Sequence, residues 1–102
     1  MSDASPSLEE FVVHVLKERK MTLSSAESCT GGFLASLLTS VPGASEIFLG
    51  GLVVYSNEMK CRELSLTQEF VEENGSVSET MADALALGCQ KKCDSSLGVG
   101  IV

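Results

Sequence analysis

Residues 26–32, Ala-Glu-Ser-Cys-Thr-Gly-Gly, hold the side chains of this sequence that are best suited to chemistry. They follow a short β-like run at residues 22–25 and precede an apolar-periodic run at residues 33–41, a pattern that predicts strand, tight turn and helix. A helix N-terminus presents free backbone N–H groups and the positive end of the helix dipole. Such a turn can hold a phosphate, stabilise an oxyanion or activate a nucleophile.

Ser28 at this turn has two interpretations. As a helix cap, its hydroxyl would accept a hydrogen bond from a backbone N–H, and the local pattern by itself favours this role. As a nucleophile, it would need a base to take its proton, while Gly31 and Gly32 would let a substrate approach the turn amides. The only histidine, His14, lies among charged neighbours on another predicted helix, so a Ser-His-Asp triad is not indicated.

Cys29 is the rival nucleophile. A helix N-terminus favours the thiolate, but the adjacent Glu27 opposes it and no histidine partner is evident, so a small buried thiol is expected. None of the four cysteines forms a Cys-x-x-Cys pair, so no metal site is predicted. Reduced thiols are typical of the cytosol, and we expect a cytoplasmic protein.

A second group of candidates lies at residues 55–60, Tyr-Ser-Asn-Glu-Met-Lys, between a predicted buried strand and a short predicted helix. The C-terminal edge of a parallel sheet is where α/β proteins bind their ligands. Lys60 could act as a base where its charge is suppressed, and Tyr55 could relay a proton. Spacing by itself favours the alternative of a solvated lysine and a strand-end aromatic.

Helices and strands alternate among the elements that must position these residues. Helices are predicted at about residues 5–20, 30–41, 57–64, 67–74 and 78–93, and strands at about residues 21–26, 50–55 and 97–102. This order predicts an α/β fold, a three-layer α/β/α sandwich whose mostly parallel sheet looks incomplete at three strands.

Composition narrows the class of protein. A chain of 102 residues with 44% hydrophobic residues is expected to form one globular domain. Its net charge of −7 weighs against nucleic acid and anionic membranes as partners, but not against a small anion at one local site. The sequence shows no signal peptide and no apolar run of about 18 residues that would span a membrane.

Four segments in chain order resemble one family, and the resemblance runs from about residue 8 to residue 102. They are residues 26–32, residues 39–45 (Thr-Ser-Val-Pro-Gly-Ala-Ser), residues 50–60 (Gly-Gly-Leu-Val-Val-Tyr-Ser-Asn-Glu-Met-Lys) and residues 75–79 (Gly-Ser-Val-Ser-Glu). The family is the amidase domain at the C-terminus of CinA-type competence/damage-inducible proteins, which also occurs as a stand-alone nicotinamide mononucleotide deamidase.

The resemblance implies hydrolysis of the carboxamide of nicotinamide mononucleotide to the nicotinic acid form, with release of ammonia and without a metal or cofactor. By motif, Ser28 would be the nucleophile, Lys60 the base and Tyr55 its partner in proton transfer. The turn amides at residues 30–32 would stabilise an anion. The substrate-binding residues implied are Glu27, Cys29, Thr30, Gly31, Gly32 and Asn57.

The chain departs from the family at its end. Where family members continue into a Thr/Ser-Gly-Ile-Ala-Gly-Pro loop, the sequence stops at Val102, so residues 1–102 are expected to be a single domain without the family's C-terminal portion. Weak or no turnover is therefore expected. The alternative is a non-catalytic binding or assembly module, or an inactive fragment. An unpaired apolar strand near residues 97–102 would favour a homo-oligomer.

Overall fold

The computed structural model of the protein describes residues 5–102 and confirms the predicted alternation of helix and strand. The elements in chain order are α1 (Leu8–Arg19), β1 (Leu23–Glu27), α2 (Phe33–Thr39), β2 (Phe48–Val53), α3 (Asn57–Leu64), α4 (Gln68–Asn74), α5 (Glu79–Cys93) and β3 (Leu97–Ile101). A short 3₁₀ turn, Ala44–Glu46, precedes β2. Across the described residues, no helix has both the length and the apolar character needed to cross a membrane.

The sheet has three parallel strands in the order β2-β1-β3, so β1 is central. Glu27 at the end of β1 pairs with Val53 on one side and Ile101 on the other. The pairing extends one step further, because the Ser28 amide donates to the Ile101 carbonyl at 2.9 Å and the Val54 amide donates to the Glu27 carbonyl at 2.9 Å. The carboxyl ends of all three strands therefore meet at one edge.

Each face of the sheet is covered by helices around its own apolar core, which confirms the three-layer arrangement. The first core lies against α1 and α2 and contains Val13, Leu16, Leu23, Leu38, Ala44, Ile47 and Phe48. The second core lies against α3, α4 and α5 and contains Ala26, Val54, Leu64, Val71, Met81, Leu85 and Cys89. Leu23 and Ala26 lie in different cores because successive strand side chains point to opposite faces.

Side-chain caps set the starts of four helices. Ser7 forms a capping box with Glu10, and the hydroxyls of Ser56, Thr67 and Ser78 accept amide hydrogen bonds at the starts of α3, α4 and α5. These hydroxyl positions are visible in the sequence, which is why the predicted and observed starts of the last three helices agree within about one residue.

The helix α5 packs closely on β3 because β3 carries glycine where the two elements touch. A Cβ at Gly98 would collide with the Ala86 carbonyl oxygen, and one at Gly100 would collide with the Ala82 carbonyl oxygen. Close packing of this kind needs the absence of a side chain. It holds the last strand against the helix that precedes it.

Two predicted elements differ from the structure. The strand β2 runs over Phe48–Val53, two residues earlier than predicted, and it is not buried: Leu49 and Val53 are exposed because β2 lies at the edge of the sheet. The helix α2 begins at Phe33 and not near residue 30, because Gly31 and Gly32 adopt left-handed backbone conformations within the preceding turn.

Candidate active site

The turn after β1 lies at the centre of the carboxyl edge. Ser28 is the first residue after β1, directly beyond Glu27. Ser28 is buried, yet within residues 5–102 its hydroxyl makes no hydrogen bond. The capping interpretation of Ser28 is therefore wrong, since the N-cap of α2 is Gly32.

Glu27 takes the place of a cap on α2. Its carboxylate accepts hydrogen bonds from Thr30 Oγ1 at 2.6 Å and from the amides of Leu34 and Ala35, each at 2.9 Å. Burial raises the pKa of this carboxyl, but the hydrogen bonds from Thr30 and from backbone amides, including that of Gly32, outweigh it and hold the pKa below its ordinary value of 4.5.

This arrangement changes what the turn can offer to a substrate. Glu27 is buried and both of its carboxylate oxygens accept hydrogen bonds from the turn and from the start of α2, so it holds the turn in shape. The Gly31 amide is also engaged, because it donates to the Ser28 carbonyl at 3.2 Å. Among the described residues, the amides of Cys29 and Thr30 have no acceptor. They are the turn donors left for an anion.

Cys29 is exposed, which corrects the expectation of a buried thiol. Cys29 lies in the turn that follows β1, next to the buried Ser28.

Lys60 is the most unusual residue of the second group. Its side chain is only 1% exposed, although it lies on the second turn of the short helix α3. The amine contacts Asn57 Oδ1 at 3.5 Å and forms no ion pair in the part of the chain that the structure describes. The interpretation as a solvated lysine is wrong. Among the described residues, the buried amine therefore has one long polar contact and no counter-ion.

Tyr55 lies just beyond the end of β2 and is 76% exposed. It belongs to neither core, and its hydroxyl bonds to no described residue. The sheet brings Ser28 and residues 55–60 to the same edge, since they follow neighbouring strands. The structure does not join Tyr55 to Ser28 or Lys60 by a hydrogen bond.

Ser76 makes a polar contact with this site, although the motifs assigned no role to it. It lies in the loop between α4 and α5, and its hydroxyl donates to Asn57 Oδ1 at 2.9 Å. The two residues are 19 positions apart, so spacing gives no sign of the contact. The one available signal is that Ser76 belongs to residues 75–79, a segment that carries the family resemblance.

Two hollows border α3. A hollow of about 450 Å³ is bordered by Asn57 and Cys61 together with residues of α4. A larger hollow of about 640 Å³ lies between the α3–α4 connection and α5. Neither hollow is lined by Ser28, Tyr55 or Lys60. Among residues 5–102, no group of three or more His, Cys, Asp or Glu side chains is arranged to hold a metal ion.

Comparison with known proteins points to one family. The model of the CinA C-terminal domain matches residues 5–102. A CinA-like protein of Chlorobaculum tepidum is 50% identical over 93 residues, and one of Thermotoga maritima is 46% identical over 94 residues. Among solved structures, a competence-damaged protein (CinA) superfamily protein from Escherichia coli is 29% identical with a TM-score of 0.87. A competence/damage inducible protein CihA from Agrobacterium tumefaciens is 30% identical with a TM-score of 0.84.

The matches cover most of this chain and a smaller part of its relatives. The two curated relatives are matched over 91% and 92% of this chain but over 22% and 23% of their own length. The two solved structures are each matched over 96% of this chain, and over 58% and 61% of their own chains.

Proposed function

The chain belongs to the CinA C-terminal domain family, and from this premise we propose that it carries a serine–lysine amidohydrolase site that acts on the carboxamide of nicotinamide mononucleotide. The observation that carries the proposal is the burial of Lys60 without an ion pair, in the helix that follows β2 at the sheet edge where Ser28 lies. The choice of substrate rests on the family resemblance of the motifs.

The reaction has two halves. The Ser28 oxygen attacks the carboxamide carbon while its proton passes to the neutral amine of Lys60. The free amides of Cys29 and Thr30 stabilise the oxyanion that forms. The C–N bond then breaks, and the ammonium of Lys60 returns the proton to the leaving nitrogen, with Tyr55 as the relay, so that ammonia departs. Water attacks the acyl-serine, Lys60 takes its proton, and Ser28 recovers it.

Two further features of the structure support this proposal. The Asn57 side chain has its oxygen engaged by Lys60 and Ser76, so its amide hydrogens are available to a substrate. The four cysteines are all free thiols, which supports the proposal of a reducing, cytoplasmic compartment.

The test is ammonia release from nicotinamide mononucleotide by the purified chain. We expect weak turnover that is lost in Ser28→Ala and Lys60→Met. The variant Lys91→Met is the matched control, because it makes the same substitution at an exposed lysine on α5, away from the site. Equal turnover in all variants would eliminate the assigned nucleophile and base.

A non-catalytic assembly module is the second candidate, and the sheet edges favour it. Within residues 5–102, both β2 and β3 pair with β1 alone, and β2 exposes Leu49 and Val53. Unpaired apolar edges are templates for strand pairing with another chain. On this proposal the chain forms a homo-oligomer, and light scattering of a folded sample without turnover would show it. A monomer at micromolar concentration would count against the assembly module.

A further inference from the structure

We propose that Ser76 is a positioning residue for the Lys60 amine and that it acts through Asn57. The inference rests on the proposed function, since it concerns the base of that site. The geometry behind it is a single amide oxygen shared by two donors: Asn57 Oδ1 lies 2.9 Å from Ser76 Oγ and 3.5 Å from Lys60 Nζ.

The shared oxygen fixes which way the Asn57 amide faces. A carbonyl oxygen has two lone pairs, so it can accept from both donors. Asn57 is the first residue of α3, whereas Ser76 reaches it from the loop before α5. Lys60 by itself would not hold the amide in this orientation, because a contact of 3.5 Å is long for a hydrogen bond. The shorter bond from Ser76 is the stronger constraint.

The orientation matters for a neutral amine. With Oδ1 toward Nζ, an N–H of Lys60 is the donor and the nitrogen lone pair stays free to accept the proton of Ser28. With the amide turned over, the Asn57 NH₂ group would donate into that lone pair and occupy the base. The Ser76 hydroxyl donates to Oδ1 at 2.9 Å, and this bond exists only in the first arrangement, because an amide NH₂ group is not an acceptor.

The experiment follows the reaction of Ser28 with a fluorophosphonate, which does not require a carboxamide substrate. The Ser28 oxygen bonds to phosphorus, fluoride leaves, and the Ser28 proton passes to Lys60, so the rate reports the base. Intact mass identifies the adduct, and Ser28→Ala shows that it is at that residue. We expect Ser76→Ala to slow the reaction about 3- to 10-fold, in line with the loss of one hydrogen bond.

Two further variants separate positioning from a general effect on the fold. Ser76→Thr keeps the hydroxyl and is expected to restore most of the rate. Ser45→Ala makes the same change at an exposed serine in the 3₁₀ turn and is expected to leave the rate unchanged.

A double-mutant cycle tests the route through Asn57. We expect Asn57→Ala to slow the reaction, and Ser76→Ala to have no added effect in that background, since the two residues act as one unit. An unchanged rate in Ser76→Ala, or independent effects that multiply, would overturn the inference and leave the proposed function standing. Absence of the Ser28 adduct, or a rate that Lys60→Met leaves unchanged, would overturn the proposed function and the inference with it.

Discussion

The carboxylate of Glu27 accepts a hydrogen bond of 2.6 Å from the hydroxyl of Thr30, so the two residues that flank Ser28 and Cys29 are joined to each other. The same carboxylate accepts the amides of Leu34 and Ala35 at the start of α2. One buried side chain thus holds the turn in shape and caps the helix that follows. The Ser28 side chain neither holds the turn nor caps α2.

Glu27→Gln is expected to destabilise the fold by about 2 kcal/mol, because charge-assisted hydrogen bonds to buried amides are replaced by weaker neutral ones. Urea unfolding at neutral pH measures the change. Glu73→Gln is the matched control, since Glu73 is exposed near the end of α4 and makes no hydrogen bond to a described residue. Equal midpoints for both variants would show that the Glu27 bonds do not stabilise the turn.

The dependence of stability on pH follows from the same carboxylate. Since the pKa of Glu27 is lower in the folded chain than its ordinary value of 4.5, its contribution is fully present above pH 4.5. The contribution is lost as the pH falls from there through the lowered folded value. We expect the free energy of unfolding to fall in this window and to fall less steeply in Glu27→Gln. Parallel curves for the two proteins would contradict this origin of the acid sensitivity.

Lys60→Met is expected to leave the free energy of unfolding unchanged or to raise it by about 1 kcal/mol. The change replaces a buried amine that has one long polar contact by an apolar side chain of similar length. Thermal unfolding measures the effect, and the fluorophosphonate rate of the same sample is expected to collapse. A loss of stability above about 2 kcal/mol would indicate that Lys60 is retained for the fold.

Gly100→Ala is expected to lower the free energy of unfolding by about 3 kcal/mol, because the new methyl group would collide with the Ala82 carbonyl of α5. Gly50→Ala is its control: a Cβ at Gly50 on β2 would meet nothing within 4 Å. Denaturant midpoints of the two variants should therefore differ widely. Similar midpoints would mean that α5 and β3 can separate at little cost.

Tyr55→Phe is expected to change the free energy of unfolding by no more than about 0.5 kcal/mol, since the ring is exposed and the hydroxyl contacts no described residue. If Tyr55 relays a proton, ammonia release from nicotinamide mononucleotide should slow by about 10². The fluorophosphonate rate should change much less, because no amine leaves in that reaction. An equal loss in both assays would assign Tyr55 to the activation of Ser28.

Local signals accounted for much of the fold. Hydroxyl caps such as Ser56 and Ser78 act over one helical turn, so their effect on α3 and α5 can be inferred from the residues themselves. The motif resemblance likewise identified Ser28 and Lys60 as candidate catalytic residues. The interpretation of each residue from spacing favoured a cap for Ser28 and a solvated chain for Lys60, and both were wrong.

The sequence by itself determined the order of elements, the α/β class and the turn that carries Ser28, because periodicity, caps and glycine conformations act between near neighbours. Only the tertiary structure decided that Glu27 caps α2, that Lys60 is buried and that Ser76 holds Asn57. Burial and side-chain contacts depend on which elements pack together. Spacing along the chain contains no direct measure of that packing.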